Sequence, residues 1–148
     1  MAQTTDLYPH IQGQVVRKTV TFDATAGNGD SGSVSLFTIT GRVQVLSITA
    51  FCTTLLTETG GTATIALGVT GSTSLFIGAT GAIGIDANEF WVSTTPTAAG
   101  IALPAACKDV VIAADIIATI ATADIDAGAI EFVVWYRPIS EGSALVAA

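Results

Sequence analysis

The chain has few charged side chains. Asp, Glu, Lys and Arg together make up 11% of its residues, which is less than half of the roughly 25% typical of globular domains. Thr, Ala, Gly and Ser take the place of the missing charges. Because a surface so poor in charge is prone to association, we expect a protein that works mostly in contact with other protein. A Thr-rich domain that is simply soluble is the alternative.

Basic residues are especially scarce. The chain has 5 of them against 12 acidic residues, which gives a formal net charge of −7. No stretch clusters Lys or Arg, or interleaves them with aromatic residues, as proteins that bind nucleic acid do. We therefore expect no nucleic-acid partner. The basic residues are Arg17, Lys18, Arg42, Lys108 and Arg137.

Groups that perform chemistry are also rare. The single histidine, His10, lies beside Pro9 near the start of the chain, where a general base could not be held with the required precision. Cys52 and Cys107 have no basic neighbour that would make either of them a nucleophile, and the chain lacks zinc ligands at motif spacing. We expect no enzyme activity, no cofactor and no metal. Buried free thiols are the favoured interpretation of the two cysteines, and a disulfide between them stays open.

Two acidic pairs could offer oxygen ligands to Ca²⁺. Asp124 and Asp126 stand two residues apart in TADIDAG, and Asp86 and Glu89 stand close together in IDANEF. Neither stretch has the full ligand set of a calcium loop. Since Asp and Asn favour turns by bonding nearby backbone, we interpret these residues as turn formers.

Long apolar runs and targeting signals are missing. The opening stretch, MAQTTDLYPHIQGQ, has no basic region followed by an apolar core, so it does not read as a signal peptide. No stretch approaches the roughly 20 apolar residues that cross a bilayer. We expect synthesis in a host cytoplasm and no membrane partner.

A period of two recurs along nearly the whole chain. In RVQVLSITAFCTTLL, for example, Leu46, Ile48, Ala50 and Cys52 share one face, as in a half-buried strand. DVVIAADIIATIATAD is rich in Ala, but its Val and Ile favour strands over a helix. Eight or nine short strands predict one all-β domain, an antiparallel β-sandwich of jelly-roll type, with a closed barrel as the alternative. We place the sandwich at residues 14–136, with extended arms at 1–13 and 137–148.

The last strand, AIEFVVWY, is apolar on both faces. It should therefore be central in a sandwich or covered by a neighbouring subunit. Pro138 follows closely, and because proline cannot donate a ladder hydrogen bond, we expect strand pairing to stop there. The remaining tail, from Arg137 to Ala148, would then lie across a neighbour rather than on its own sandwich.

Several stretches resemble a known family. They are TGRVQVLSITAFCTT, IDANEFW and ADIIATIATADIDAGAIEFVVWYRPIS, followed by an acidic and Gly step and the small aliphatic ending LVAA. Over residues 33–148 the sequence resembles the head decoration, or cement, proteins of tailed bacteriophages, which are small proteins encoded beside the major capsid protein. The N-terminal arm is not matched, and none of these motifs is catalytic.

The resemblance implies a β-sandwich that binds the outside of a phage head as a homotrimer and stabilises it. The expected partners are further copies of the chain and the major capsid protein, and the expected location is the outer capsid surface of the virion. The alternative function is a receptor-binding or carbohydrate-binding β-module of a spike or fibre, which would expose aromatic residues on loops. The contacts are expected in the arms and the last strand, at Leu7, Tyr8, Ile11, Trp135, Tyr136, Arg137, Pro138, Ile139, Leu145 and Val146.

Overall fold

Period-two patterns form strands where the sequence predicts them. In the longest strand, Ile48, Ala50 and Cys52 are buried while the residues between them are partly exposed. The structure, a computed structural model, describes residues 13–148, and this part of the chain contains ten strands. They are β1 (Gln14–Thr21), β2 (Gly32–Thr40), β3 (Val43–Thr57), β4 (Thr64–Val69), β5 (Ser72–Gly81), β6 (Glu89–Phe90), β7 (Lys108–Ile112), β8 (Ile116–Ala121), β9 (Ala127–Pro138) and β10 (Ala144–Ala147).

The strands form two antiparallel sheets packed against each other. The first sheet has the order β1-β9-β3-β6, and β7 also pairs with β3. The second sheet has the order β10-β2-β8-β4-β5. The predicted all-β sandwich is thus confirmed, and the Ala-rich segment forms β7 and β8 rather than a helix. The closed barrel is not formed, whereas the jelly-roll arrangement stays a prediction at this point.

The core lies between the sheets and is dominated by β9 and β3. Phe132, Val134 and Tyr136 point inward from β9 and are almost fully buried. Trp91 packs edge-on against Phe132 with ring centroids 6.5 Å apart, and its indole N–H donates to the Thr80 hydroxyl at 3.0 Å. Trp91 is fully buried, so it is a core residue, and its indole N–H has the polar partner that a buried tryptophan usually finds.

The predicted C-terminal arm is wrong. β9 runs through Arg137 to Pro138, which still lies opposite Val43 in β3. The chain then turns back, and β10 pairs antiparallel with the end of β2. Leu145 is only 1% exposed and belongs to the core of its own sandwich.

Two local causes bring the tail back. A serine-rich turn closes on itself, because the Ser143 hydroxyl donates to the Ser140 carbonyl at 2.7 Å and the Arg42 N–H donates to the Ser140 hydroxyl at 3.0 Å. The edge of β2 then offers both backbone partners and an apolar site for Leu145. Burying such a side chain contributes about 1.5–3 kcal/mol, so no neighbouring subunit is needed. The N-terminal arm, with Leu7, Tyr8 and Ile11, lies outside the described residues.

Candidate functional site: the outer face of the first sheet

The first sheet turns one apolar face toward the core and a second, mixed face toward solvent. Side chains alternate across a strand, so Val133, Trp135 and Arg137 of β9 point away from the core. The pairing register places Val15 of β1 beside Trp135, and Val111 of β7 on the far side of β3. Strand β9 is central, so its outward side chains form the middle of this face.

Several large apolar side chains on this face remain accessible. Val15 is 50% exposed, Trp135 43% and Val111 60%. Contiguous exposed apolar surface on a soluble protein commonly marks an interaction site. We define the outer patch as these three residues together with their apolar and basic neighbours on the sheet, which makes the full set Val15, Leu46, Val111, Val133, Trp135, Arg17, Lys108 and Arg137.

The backbone approaches Trp135 closely at the start of β1. Gly13 has φ +76°, and a Cβ there would lie 2.3 Å from the indole nitrogen of Trp135 and 2.9 Å from Cδ1 of Leu46. Only glycine fits, because both the space and the left-handed backbone exclude a side chain. Leu46 reaches this face because the ladder shifts register between Val45 and Ser47, as at a β-bulge. The backbone of Gly13 and the side chain of Leu46 therefore lie beside the indole.

Three basic residues border the apolar part of the patch. Arg17 lies opposite Val133 in the pairing register, and Lys108 lies opposite Ser47. Arg137 donates from Nε to the side-chain oxygen of Gln44 at 2.8 Å, which orients its guanidinium on the face. Glu131 of β9 lies on the same face, two residues before Val133, so three basic residues and one carboxylate surround the apolar part and the charge there is positive on balance.

Acidic side chains gather at one end of the sandwich. The loops at residues 22–31, 58–63, 82–88 and 122–126 meet there, since β1 and β3 end beside the start of β9. Asp124 accepts from the Ser31 N–H at 2.7 Å, and Asp126 accepts from the Thr59 hydroxyl at 2.7 Å. We call this region the acidic end and define it by Asp23, Asp30, Glu58, Asp86, Asp124 and Asp126.

The carboxylates at the acidic end hold the loops together. Asp124 and Asp126 bond to neighbouring loops rather than to their own turn, which differs in detail from the sequence interpretation. Hydrogen bonds from the Thr25 hydroxyl and backbone N–H lower the pKa of Asp23, so it is charged at neutral pH. Within residues 13–148, no group of three or more His, Cys, Asp or Glu side chains is arranged to hold a metal ion.

Both cysteines are buried and free, as favoured from the sequence. The Cys52 thiol contacts the Thr54 carbonyl at 3.2 Å, and the Cys107 thiol contacts the Val92 carbonyl at 3.4 Å. Burial raises the pKa of both thiols, so the reactive thiolate is disfavoured. Their positions indicate packing rather than catalysis.

Two surface hollows are candidates for ligand sites. The larger, about 450 Å³, lies between β1 and β2 and is lined by hydroxyl groups and Lys18. The Lys18 ammonium donates to the main-chain oxygens of Ser35 at 2.9 Å and Ala148 at 2.6 Å, which ties β1 to the second sheet. A smaller hollow of about 270 Å³ is lined by Phe90, Ile101 and Leu103, among others. Neither lining includes a histidine or a carboxylate that could activate a nucleophile.

The residues predicted as contacts are divided among three environments. Trp135 and Arg137 lie on the outer patch. Tyr136 and Leu145 are buried in the core, and the Tyr136 hydroxyl donates to the side-chain oxygen of Gln14 at 3.0 Å. The remaining described positions are Pro138, which ends β9, and the exposed Ile139 and Val146.

Sequence reasoning assigned no contact role to six residues of the outer patch, namely Val15, Arg17, Leu46, Lys108, Val111 and Val133. The alternation of β1 would have shown Val15 on the face opposite Val16, so that signal was present. The prediction that Leu46 shares the inner face with Ile48 is wrong, because the register shift between Val45 and Ser47 turns Leu46 outward. Val111 depends on the pairing of β7 with β3, which the local pattern does not indicate.

Comparison with protein-family models, with curated proteins and with solved structures found no match for this chain. In the described part of the chain, no helix has the length and apolar character required to cross a membrane.

Proposed function

We propose that the protein is a capsid decoration protein, which binds the outer surface of a phage head as a homotrimer and stabilises it. Its partners would be further copies of the chain and the major capsid protein, on the outside of the virion. The observation that carries this proposal is the outer patch, an exposed apolar and basic surface centred on β9. The sequence resemblance of residues 33–148 supports the same function.

The strand order also supports the proposal. Strands β6 and β7 pair with different parts of β3, so together they occupy one position at the edge of the first sheet. If β6 and β7 are counted as one strand and β10 is set aside, eight strands remain in chain order. The first sheet then has the order 1-8-3-6 and the second sheet the order 2-7-4-5, and β10 extends the second sheet beside β2. This is the order expected of a jelly roll, a fold that viral capsid proteins share with lectins, so it is compatible with the proposal and does not by itself separate it from the alternative.

A receptor-binding or carbohydrate-binding module has less support. That function calls for aromatic side chains exposed on loops, where they can stack on a ligand. Trp91, the tryptophan next to a loop, is fully buried, and the exposed tryptophan, Trp135, lies on a central strand. No observation in the described residues favours this alternative.

The homotrimer is tested by the mass of the purified protein in solution. We expect multi-angle light scattering at micromolar concentration to give three times the chain mass of 14.9 kDa. The physical reason is that the exposed apolar part of the outer patch is costly in water and becomes buried on association. A stable monomer at that concentration would contradict the proposal.

A further inference from the structure

Charge is distributed unevenly over the sandwich. The four loops of the acidic end contain no Lys or Arg, whereas the outer patch contains three of the 5 basic residues of the chain. The two regions are also far apart. Val15, Trp135 and Arg137 lie near the start of β1 and the end of β9, and the acidic end lies where β1 ends and β9 begins.

The acidic end also has exposed apolar side chains. Leu55, near the end of β3, is 46% exposed, and Ile83, between β5 and β6, is 55% exposed. Both regions therefore combine large apolar side chains with charge, and the sign of the charge is opposite in the two. Such complementary surfaces favour correct encounter and register between partners.

We propose that copies of the chain associate head to tail, with the acidic end of one copy against the outer patch of the next. This inference rests on the homotrimer of the proposed function and names the surfaces that form it. A ring of three copies needs two different complementary patches on each copy, because a heterologous contact closes a ring whereas a self-complementary patch closes a dimer. The outer patch and the acidic end are at opposite ends of the sandwich, so one copy uses both at once.

Two charge-reversal variants test this arrangement. The patch variant carries Arg17→Glu and Lys108→Glu, and the end variant carries Ile83→Lys and Asp86→Lys. All four side chains are exposed, so the core is untouched, and matching thermal melts by circular dichroism would verify that both variants fold. We expect each variant alone to shift from trimer to monomer in light scattering, because each has lost one of the two required surfaces.

Mixing the variants gives the decisive result. The patch variant keeps an intact acidic end and the end variant keeps an intact outer patch, so an equimolar mixture should form a dimer with one copy of each. The carboxylates introduced at positions 17 and 108 and the lysines introduced at positions 83 and 86 are opposite in charge, so larger complexes in which the two variants alternate would support the arrangement equally. As a control, Val146→Glu adds a charge at an exposed position of the second sheet and should leave the trimer intact.

Three other results would overturn the inference. If the outer patches contact each other directly, the end variant alone will still associate and mixing will add nothing. If residues 1–12 of the same chain cover the outer patch, both variants will have the same mass as the unmodified trimer, which leaves the proposed homotrimer standing. If the unmodified chain is a monomer, this inference and the proposed homotrimer fail together.

Discussion

Replacing Leu145 by alanine should lower the free energy of unfolding by about 2–5 kcal/mol. Leu145 is 1% exposed and belongs to the core, although it lies three residues from the end of the chain as given. Its strand, β10, is only four residues long, so few other contacts hold this strand on the sandwich once the apolar contacts of Leu145 are lost. A loss of this size is a large share of the roughly 5–15 kcal/mol that stabilises a typical domain.

Urea denaturation at a fixed protein concentration measures this loss. Val146→Ala is the matched control, because Val146 is the next residue of the same strand but is 53% exposed. Its effect should stay within about 0.5 kcal/mol, as for most surface substitutions. Equal unfolding midpoints for the two variants would mean that the end of the chain does not belong to this core, as in the arm first expected from the sequence.

Replacing Gly128 by alanine should lower the free energy of unfolding by a similar amount. Gly128 has φ +112°, and a Cβ there would lie 2.5 Å from the Leu55 carbonyl oxygen and 2.7 Å from Cα of Leu56. The unfavourable backbone conformation costs about 1–3 kcal/mol. Forcing β9 away from β3 adds about 1–3 kcal/mol, as for other overpacked sites.

Gly60→Ala separates these two contributions. Gly60 has φ +111°, almost the same as Gly128, but a Cβ there would have no atom within 4 Å. We expect this variant to lose only the conformational part, so the difference between the two unfolding free energies reports the steric clash. If both variants lose the same amount, β3 and β9 are not in the close contact that positions the loops of the acidic end.

The strands were predictable because their signal is local. A period of two places Ile48, Ala50 and Cys52 on one face, and burial follows that pattern, whereas the bulge before Ser47 puts Leu46 on the other face. The same reasoning correctly assigned both faces of β9 as apolar. Its outward side chains, Val133 and Trp135, became part of the outer patch.

The C-terminal strand was not predictable because its partner is distant in sequence. Leu145 pairs in register with Ile39. No local sequence pattern indicates that one side of β2 is available to pair with another strand there. The sequence interpretation ended the sandwich at residue 136 and expected pairing to stop at Pro138, whereas proline only ends β9 and the Ser140–Ser143 turn carries the chain back. A short apolar tail is thus as consistent with a final edge strand as with an arm.

The charge distribution was also hidden from the sequence. The acidic residues are scattered along the chain, and their gathering depends on which loops the sheet order brings together. Asp124 contacts the loop before β2, and Asp126 contacts the loop after β3. The acidic end could be recognised only after the topology was known.

A trimer would help a decoration protein in a simple way. Three copies held together present three sets of capsid contacts, so each further contact forms at high effective concentration once the first is made. Weak individual contacts can then give firm attachment without any catalytic or metal-binding group. Within the described residues, the two cysteines are buried in the core and Asp124 holds two loops together, which are structural roles.

Binding to emptied phage heads tests the proposed function most directly. The purified chain would be mixed with heads assembled from the proposed partner, a phage major capsid protein, and the sedimented heads would be assayed for bound protein over a range of concentrations. We predict saturable binding in multiples of three copies, together with heads that withstand a higher temperature before they release their contents. Heads that sediment without the protein at saturating concentration would contradict the function proposed for this chain.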